Sequence, residues 1–305
     1  MARPTQSPAA PASASSSWPA ALAVLELLKP ITWFPPMWAF ACGVVASGAA
    51  LAQAWPMAVL GIVLAGPIVC GMSQAVNDWF DRHVDAVNEP QRPIPSGRLP
   101  GRTGLWVAIG WTGLSVGVGS LLGPWGFAGT LLGVALAWAY SAPPLRLKRD
   151  GWTGSAACAL SYETLPWITA AAVLSGGAPD ARLVLVALLY GVGAHGIMTL
   201  NDFKSIEGDR RFGIMSLPVR LGADRAARLA CAVMALPQLG VAALLLAWGA
   251  PWHGAAIAVS LLVQLVCMRR LLRDPRGLAP WYNGTGVSLY VLGMMVSATA
   301  LRGLP

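Results

Sequence analysis

The sequence predicts an all-α, polytopic integral membrane protein with about nine transmembrane helices. Three observations lead there. The chain of 305 residues is 56% hydrophobic and only 11% charged, whereas soluble domains are about a quarter charged. Nine apolar runs are long enough to cross a bilayer core, which takes about 20 residues each. The basic residues between those runs fall almost entirely on one side.

Residues 1–24 are expected to form a disordered cytoplasmic tail. The stretch 4–20, PTQSPAAPASASSSWPA, is rich in Pro, Ser and Ala and lacks the uninterrupted apolar core of a secretory signal. Helices are then expected at 31–52, 57–80, 104–122, 126–142, 153–174, 182–203, 225–248, 252–270 and 280–301. Pro67, Pro166 and Pro237 lie inside three of them and read as kinks rather than breaks. Cys42, Cys70, Cys158, Cys231 and Cys267 are scattered singly through apolar stretches. That pattern indicates small buried residues, with neither a disulfide framework nor a cysteine metal site.

The charges test this layout. Arg3 and Lys29 precede the first helix. Arg82, Arg92, Arg98 and Arg102 follow the second, and Arg146, Lys148 and Arg149 follow the fourth. Lys204, Arg210, Arg211, Arg220, Arg225 and Arg228 follow the sixth, and Arg269, Arg270, Arg273 and Arg276 the eighth. Only Arg182 and Arg302 fall on the other side. The positive-inside rule then puts the N-terminus and the long loops in the cytoplasm. The formal charge of +8 suits anionic lipid or phosphate partners. Nucleic acid is not expected, because the chain has no soluble face to carry it.

The second helix ends in polar residues. With about 100° per residue, and Asn77 at zero, Asp81 falls near 40°, Asp85 near 80° and Asp78 near 100°. These four groups share one face of about a quarter turn. Carboxylates so close repel one another and ask for a cation. Oxygen ligands with room for water suit Mg²⁺. A solvated helix end would explain one such cluster, but the sixth helix ends the same way. Asn201, Asp202, Ser205 and Asp209 repeat Asn77, Asp78, Asp81 and Asp85 at an offset of 124 residues. Four helices separate the copies, so both open on one side. The chain reads as two four-helix parallel pseudo-repeats plus a ninth helix. Two acidic faces ringed by arginines would hold Mg²⁺ and a diphosphate, and an apolar cavity behind them suggests an isoprenoid diphosphate.

The pair NDWFDRHVDAVNEPQRPIPSGRL (77–99) and NDFKSIEGDRRFGIMSLPVRLG (201–222) resembles the UbiA superfamily of intramembrane prenyltransferases, over residues 25–305. With YSAPPLRLKRDGW (140–152) and SYETLPW (161–167), it is most similar to the chlorophyll and bacteriochlorophyll synthase branch, and within it to the bacteriochlorophyll side. The resemblance implies Mg²⁺-dependent transfer of a geranylgeranyl or phytyl group from its diphosphate to the propionate of bacteriochlorophyllide a. Two Mg²⁺ ions, the lipid bilayer and an inner, photosynthetic membrane go with it. Such a setting brings other pigment-biosynthesis and light-harvesting membrane proteins within reach as partners.

Roles follow by matching position. Asn77, Asp78, Asp81 and Asp85 are expected at one Mg²⁺, and Asp202 and Asp209, with Asn201, at the other. Ser205, where most relatives place Asp, leaves the second ion a ligand short. Arg82, Arg92, Arg146, Lys148 and Lys204 are the expected diphosphate contacts. Tyr140 is either a further one or an interfacial aromatic. Glu163, ionisable inside a membrane helix, faces the tetrapyrrole or pairs with a basic loop. His195, near 120° on the wheel of the sixth helix, is an axial ligand to the tetrapyrrole magnesium or a satisfied interhelical histidine.

Other classes fit less well. A different acceptor, such as chlorophyllide or an aromatic quinone precursor, is the enzymatic alternative. A cation-coupled transporter usually sites its carboxylates at the midplane on broken helices. A CDP-alcohol phosphotransferase needs a DG-containing motif that is missing. A passive pigment-binding protein would not need two matched acidic faces.

Overall fold

The computed structural model describes residues 18–304. Among them the chain is helical throughout, and its one β contact is an isolated bridge between Asp150 and Met215. An N-terminal helix spans Trp18–Leu27. It replaces the disordered tail expected over 18–24, while residues 1–17 lie outside the described chain. The Pro/Ser-rich stretch stops at Pro19, and the run from Ala20 to Leu28 is made of good helix formers. Ala23 and Leu27 bury completely in a cluster with Met72, Ala75 and Val76.

The membrane helices follow as α1 (Phe34–Ala46), α2 (Leu51–Asn88), α3 (Thr103–Leu121), α4 (Gly123–Ser141), α5 (Gly151–Ser175), α6 (Ala181–Phe212), α7 (Ala223–Ala247), α8 (Pro251–Leu271) and α9 (Pro275–Arg302). Seven of them, α2, α3 and α5–α9, are long and apolar enough to cross a membrane. The protein is an integral membrane protein, although the expected count of nine spans is not reproduced by that measure. The expected first run, 31–52, divides because Gly48 turns the chain at φ 73°. That leaves α1 with only 13 residues.

Two of the three prolines expected to kink helices sit at π-helical segments. Leu64–Cys70 in α2 contains Pro67, and Leu160–Thr164 in α5 directly precedes Leu165 and Pro166. A π turn takes an extra residue and rotates everything beyond it. Pro237 lies within regular α7.

Helices α2, α3 and α4 pack on one another in sequence, as do α6, α7 and α8, and α1 bridges the two runs against α2, α5 and α9. Small residues allow the closest approaches. A Cβ on Gly43 would lie 2.7 Å from the Cβ of Ala170, which fixes α1 against α5. Some buried polar groups pair within the bundle. Gln238 and Gln264 exchange amide bonds of 3.1 and 2.8 Å between α7 and α8. The Tyr290 hydroxyl donates to the Tyr190 carbonyl at 2.5 Å.

Two loops meet above the bundle. Met215 N–H donates to Arg149 O and Gly151 N–H donates to Met215 O, both at 2.9 Å. Arg220 pairs with Asp150 at 2.5 Å. Asp150 also caps α5, accepting from the amides of Trp152 and Thr153 at 3.0 and 3.1 Å. This clasp holds the loop carrying Lys148 against the loop after the second acidic motif.

Candidate active site

The two acidic motifs end in one cavity of about 650 Å³. Asn77, Asp81 and Asp85 line it from α2, and Asn201, Asp202, Ser205 and Asp209 from α6. Arg92, Tyr140, Lys148 and Lys204 also line it, at the same polar end. Away from the motifs the walls turn apolar, with Phe40, Leu64, Ala65, Leu136 and Leu165.

Cations already engage the first motif. Lys148 Nζ donates to Asp81 Oδ2 at 2.5 Å, and Arg146 reaches Asp81 Oδ1 at 3.3 Å. Arg92 spans Asp85 at 2.9 Å and Asp78 at 3.4 Å, and also bonds Glu89. Lys29 reaches Asp78 Oδ1 at 2.6 Å. Burial pushes the Lys148 ammonium below the ordinary lysine range, and the Asp81 carboxylate partly offsets that. Burial also works against the Arg92 charge, but Glu89, Asp78 and Asp85 together hold the guanidinium above its usual value.

The second motif is built differently. After Asn201 the chain tightens into a 3₁₀ turn over Asp202–Ser205 before the helix resumes at Ile206. Ser205 donates to Asp209 Oδ2 at 3.0 Å, and Ser216 donates to the same oxygen at 2.7 Å. Asn283 of α9 donates to Asn201 Oδ1 at 2.8 Å. Asp202 has no ion-pair partner among the described residues.

Several expected residues sit elsewhere. Asp78 is 2% exposed and does not line the cavity, since Lys29 and Arg92 cover it. Arg82 folds back onto its own helix, bonding Trp79 O at 2.7 Å with its guanidinium over the Trp79 ring. Arg146 touches the site only through Asp81. Glu163 is buried outside the cavity lining, with Oε2 unpartnered, and does not pair with a basic loop. His195 packs against Trp152 with ring centroids 5.7 Å apart and the planes tilted by 33°, also off the lining. The interhelical alternative for His195 is the one this placement favours.

A model of the UbiA prenyltransferase family matches residues 19–289. The chain belongs to the UbiA prenyltransferase family. It is 63% identical to a bacteriochlorophyll synthase 33 kDa chain of Cereibacter sphaeroides, over 94% of this chain and 95% of that one. It is 38% identical to the chloroplastic chlorophyll synthase of Arabidopsis thaliana, over 90% of this chain and 73% of the relative. A solved UbiA homologue from Archaeoglobus fulgidus, bound to DMAPP and Mg²⁺, shares the fold with a TM-score of 0.70 at 19% identity, covering 92% of this chain and all of that one. The protein is therefore an enzyme of this family.

The UbiA cavity offers oxygen donors of the kind a hard divalent ion takes. On its lining Asp202 is unpaired and the serines occupy only one oxygen of Asp209; Asp78 Oδ2, off the lining, is buried without a partner. No three His, Cys, Asp or Glu side chains form a ready metal cluster among the described residues. Mg²⁺ does not need one, because it is commonly held by one or two carboxylates plus substrate phosphates. Lys29, Ser216 and Asn283 are site residues that sequence reasoning missed. Lys29 and Asn283 meet their partners only through the packing of distant segments, and Ser216 through the turn that follows Phe212.

Proposed function

We propose that this enzyme transfers a geranylgeranyl or phytyl group from its diphosphate to the propionate carboxylate of bacteriochlorophyllide a. The carrying observation is the single cavity that joins both acidic motifs and the cations Arg92 and Lys148 to an apolar interior. The likeness to bacteriochlorophyll synthase supports the acceptor.

The diphosphate lies between the two motifs. Arg92, Lys148, Lys204 and the Tyr140 hydroxyl hold its oxygens, and Arg146 backs them through Asp81. Asn77, Asp81 and Asp85, with Asp78 behind them, would hold one Mg²⁺, and Asn201, Asp202 and Asp209 the other; the charge such ions supply there would offset that of the departing pyrophosphate. The apolar walls at Phe40, Leu64 and Leu165 take the prenyl chain and exclude water from its allylic end. The bond from C1 to the diphosphate oxygen breaks, and its electron pair leaves with pyrophosphate. A propionate oxygen then bonds to C1. No proton moves, because a carboxyl group of pKa near 4.3 is already ionised at neutral pH. The chain's own contribution is thus positioning and electrostatics rather than general-base chemistry.

The alternation of basic loops supports both motifs facing the cytoplasm, and the likeness to bacteriochlorophyll synthase supports an inner, photosynthetic membrane location. The test is purified protein with bacteriochlorophyllide a and each diphosphate in turn, read by pigment chromatography and pyrophosphate release. Esterified pigment is expected. Prenylation of 4-hydroxybenzoate or homogentisate instead would overturn the acceptor, and no pyrophosphate release would overturn the enzymatic reading.

A further inference from the structure

The two π-helical segments both reach the cavity lining and meet there. One ends at Cys70 of α2, and the other, Leu160–Thr164, contains Tyr162 of α5. Cys70, Gln74 and Tyr162 all line the cavity. Gln74 lies one helical turn deeper than Asn77, about 4.5 Å along the axis. The cavity wall on one side of this level is the metal motif, and on the other it is Leu64, Ala65 and Phe40. A polar bridge therefore spans the seam between the diphosphate end and the apolar chamber. An allylic C1 attached to a diphosphate at Asn77 and Asp81 would have to sit at that seam.

The bonds at the bridge are directional. Gln74 Nε2 donates to the Tyr162 hydroxyl oxygen at 2.9 Å. The Cys70 thiol lies 3.4 Å from the same oxygen, and its single proton is shared with Thr32 O at 3.3 Å. The Tyr162 oxygen thus accepts from an amide. Among the described residues its own proton faces only neutral acceptors, the Cys70 sulfur, which is a weak one, and the nearby Ser73 hydroxyl. Tyr162 is half-buried and presents that donor to the cavity. A carboxylate would take it in preference to either, as a charge-assisted bond. Neither the prenyl chain nor the diphosphate needs a donor at this depth, but the attacking propionate does.

We propose that Tyr162, fixed by Gln74, is the contact that selects and positions the acceptor's carboxylate. One propionate oxygen accepts from the Tyr162 hydroxyl and the other faces C1. The inference rests on the carboxylate acceptor proposed above.

The experiment measures binding, without prenyl diphosphate, of bacteriochlorophyllide a and of its propionate methyl ester to the detergent-solubilised enzyme, read from the pigment's absorbance. Wild type should favour the free acid by about tenfold, the scale of a hydrogen bond to a charged group. Tyr162→Phe should erase that preference while leaving the methyl ester's affinity unchanged. A role confined to bracing α2 against α5 would lower both affinities together and keep their ratio, and that result overturns the proposal. So does a wild type with no preference. Should Tyr162→Phe fail to fold, Gln74→Leu carries the test, and an unchanged ratio there overturns it equally. Turnover by wild type is scored separately. If wild type esterifies no pigment, the acceptor reading fails. If it does and the Tyr162→Phe ratio persists, only the Tyr162 assignment fails.

Discussion

Asp209 gives the sharpest perturbation, because two serines share one of its oxygens. The Ser205 hydroxyl has a single proton and two acceptors, Asp202 O at 3.0 Å and Asp209 Oδ2 at 3.0 Å. The Ser216 hydroxyl is buried and donates to Asp209 at 2.7 Å. Ser216 therefore fixes the carboxylate more firmly. A hydrogen bond to a charged group contributes about 1.5–3 kcal/mol when lost outright. With the other serine still in place the loss is smaller. Ser205→Ala should cost about 1 kcal/mol, or about fivefold in rate, and Ser216→Ala about tenfold. Asp209→Ala removes the carboxylate itself and should cost on the order of 100-fold or more. The double serine variant leaves a buried carboxylate with no fixed donor. It should exceed the product of the single effects and approach Asp209→Ala. The assay is esterified pigment formed per minute at saturating Mg²⁺, with folding checked by thermal melting in detergent. If Ser205→Ala is as inactive as Asp209→Ala, Ser205 is itself a ligand and the ordering argued here is wrong.

Asp202→Ala and Asp78→Ala should each lower turnover on the order of 100-fold, and EDTA should abolish it; near-normal rates in EDTA would refute a divalent-ion site. Turnover should vary only a few-fold between roughly pH 6 and 8, since an acid of pKa near 4.3 is ionised throughout. The acceptor's methyl ester should be inert, and a steep rise with pH would point to a general base. Asp150→Ala should destabilise the clasp by about 1 kcal/mol through loss of the α5 cap, seen as a lower melting temperature. The amides of Thr153 and Trp152, and then Arg220, hold the Asp150 carboxyl below its ordinary value. Its contribution is therefore complete above the ordinary carboxylate pKa and fades as pH falls through the lowered one. Asp150→Ala should accordingly narrow the stability gap between pH 6 and pH 3, and an unchanged gap would count against the assignment.

The helix order and the two motifs were legible because both are local. Apolar length gives a span, and four-residue spacing puts Asn77, Asp81 and Asp85 on one face. The repeat at Asn201 then located the opposite wall. Where the helix is not ideal, the wheel misleads. A 3₁₀ turn advances about 120° per residue, so Asp202–Ser205 does not copy the first motif's geometry. In α5 the lining positions Cys158, Ser161, Tyr162 and Leu165 share one face, and Glu163 falls off it. Lys29 and Asp78 are 49 residues apart, and Asn201 and Asn283 are 82 apart. Only helix packing brings those pairs together. Arg82 illustrates the converse: its position inside a motif suggested phosphate, but the adjacent Trp79 face offers the guanidinium a nearer partner.

The ion pairs at the cavity mouth also explain how so many charges are tolerated at the edge of a membrane. Asp78, Asp81 and Asp85 are matched by Lys29, Arg92, Arg146 and Lys148 at 2.5–3.4 Å. An unpaired buried charge would be far more costly than a paired one. On the proposed reading, substrate arrival exchanges partners rather than creating new charges. The diphosphate takes the cations, and the divalent ions that accompany it take the carboxylates released. A diphosphate without metal would strand the carboxylates, and metal without diphosphate would strand Arg92 and Lys148. The paired resting state thus favours entry of the two together. It also confines the reactive arrangement to the moment when a leaving group is present to be stabilised.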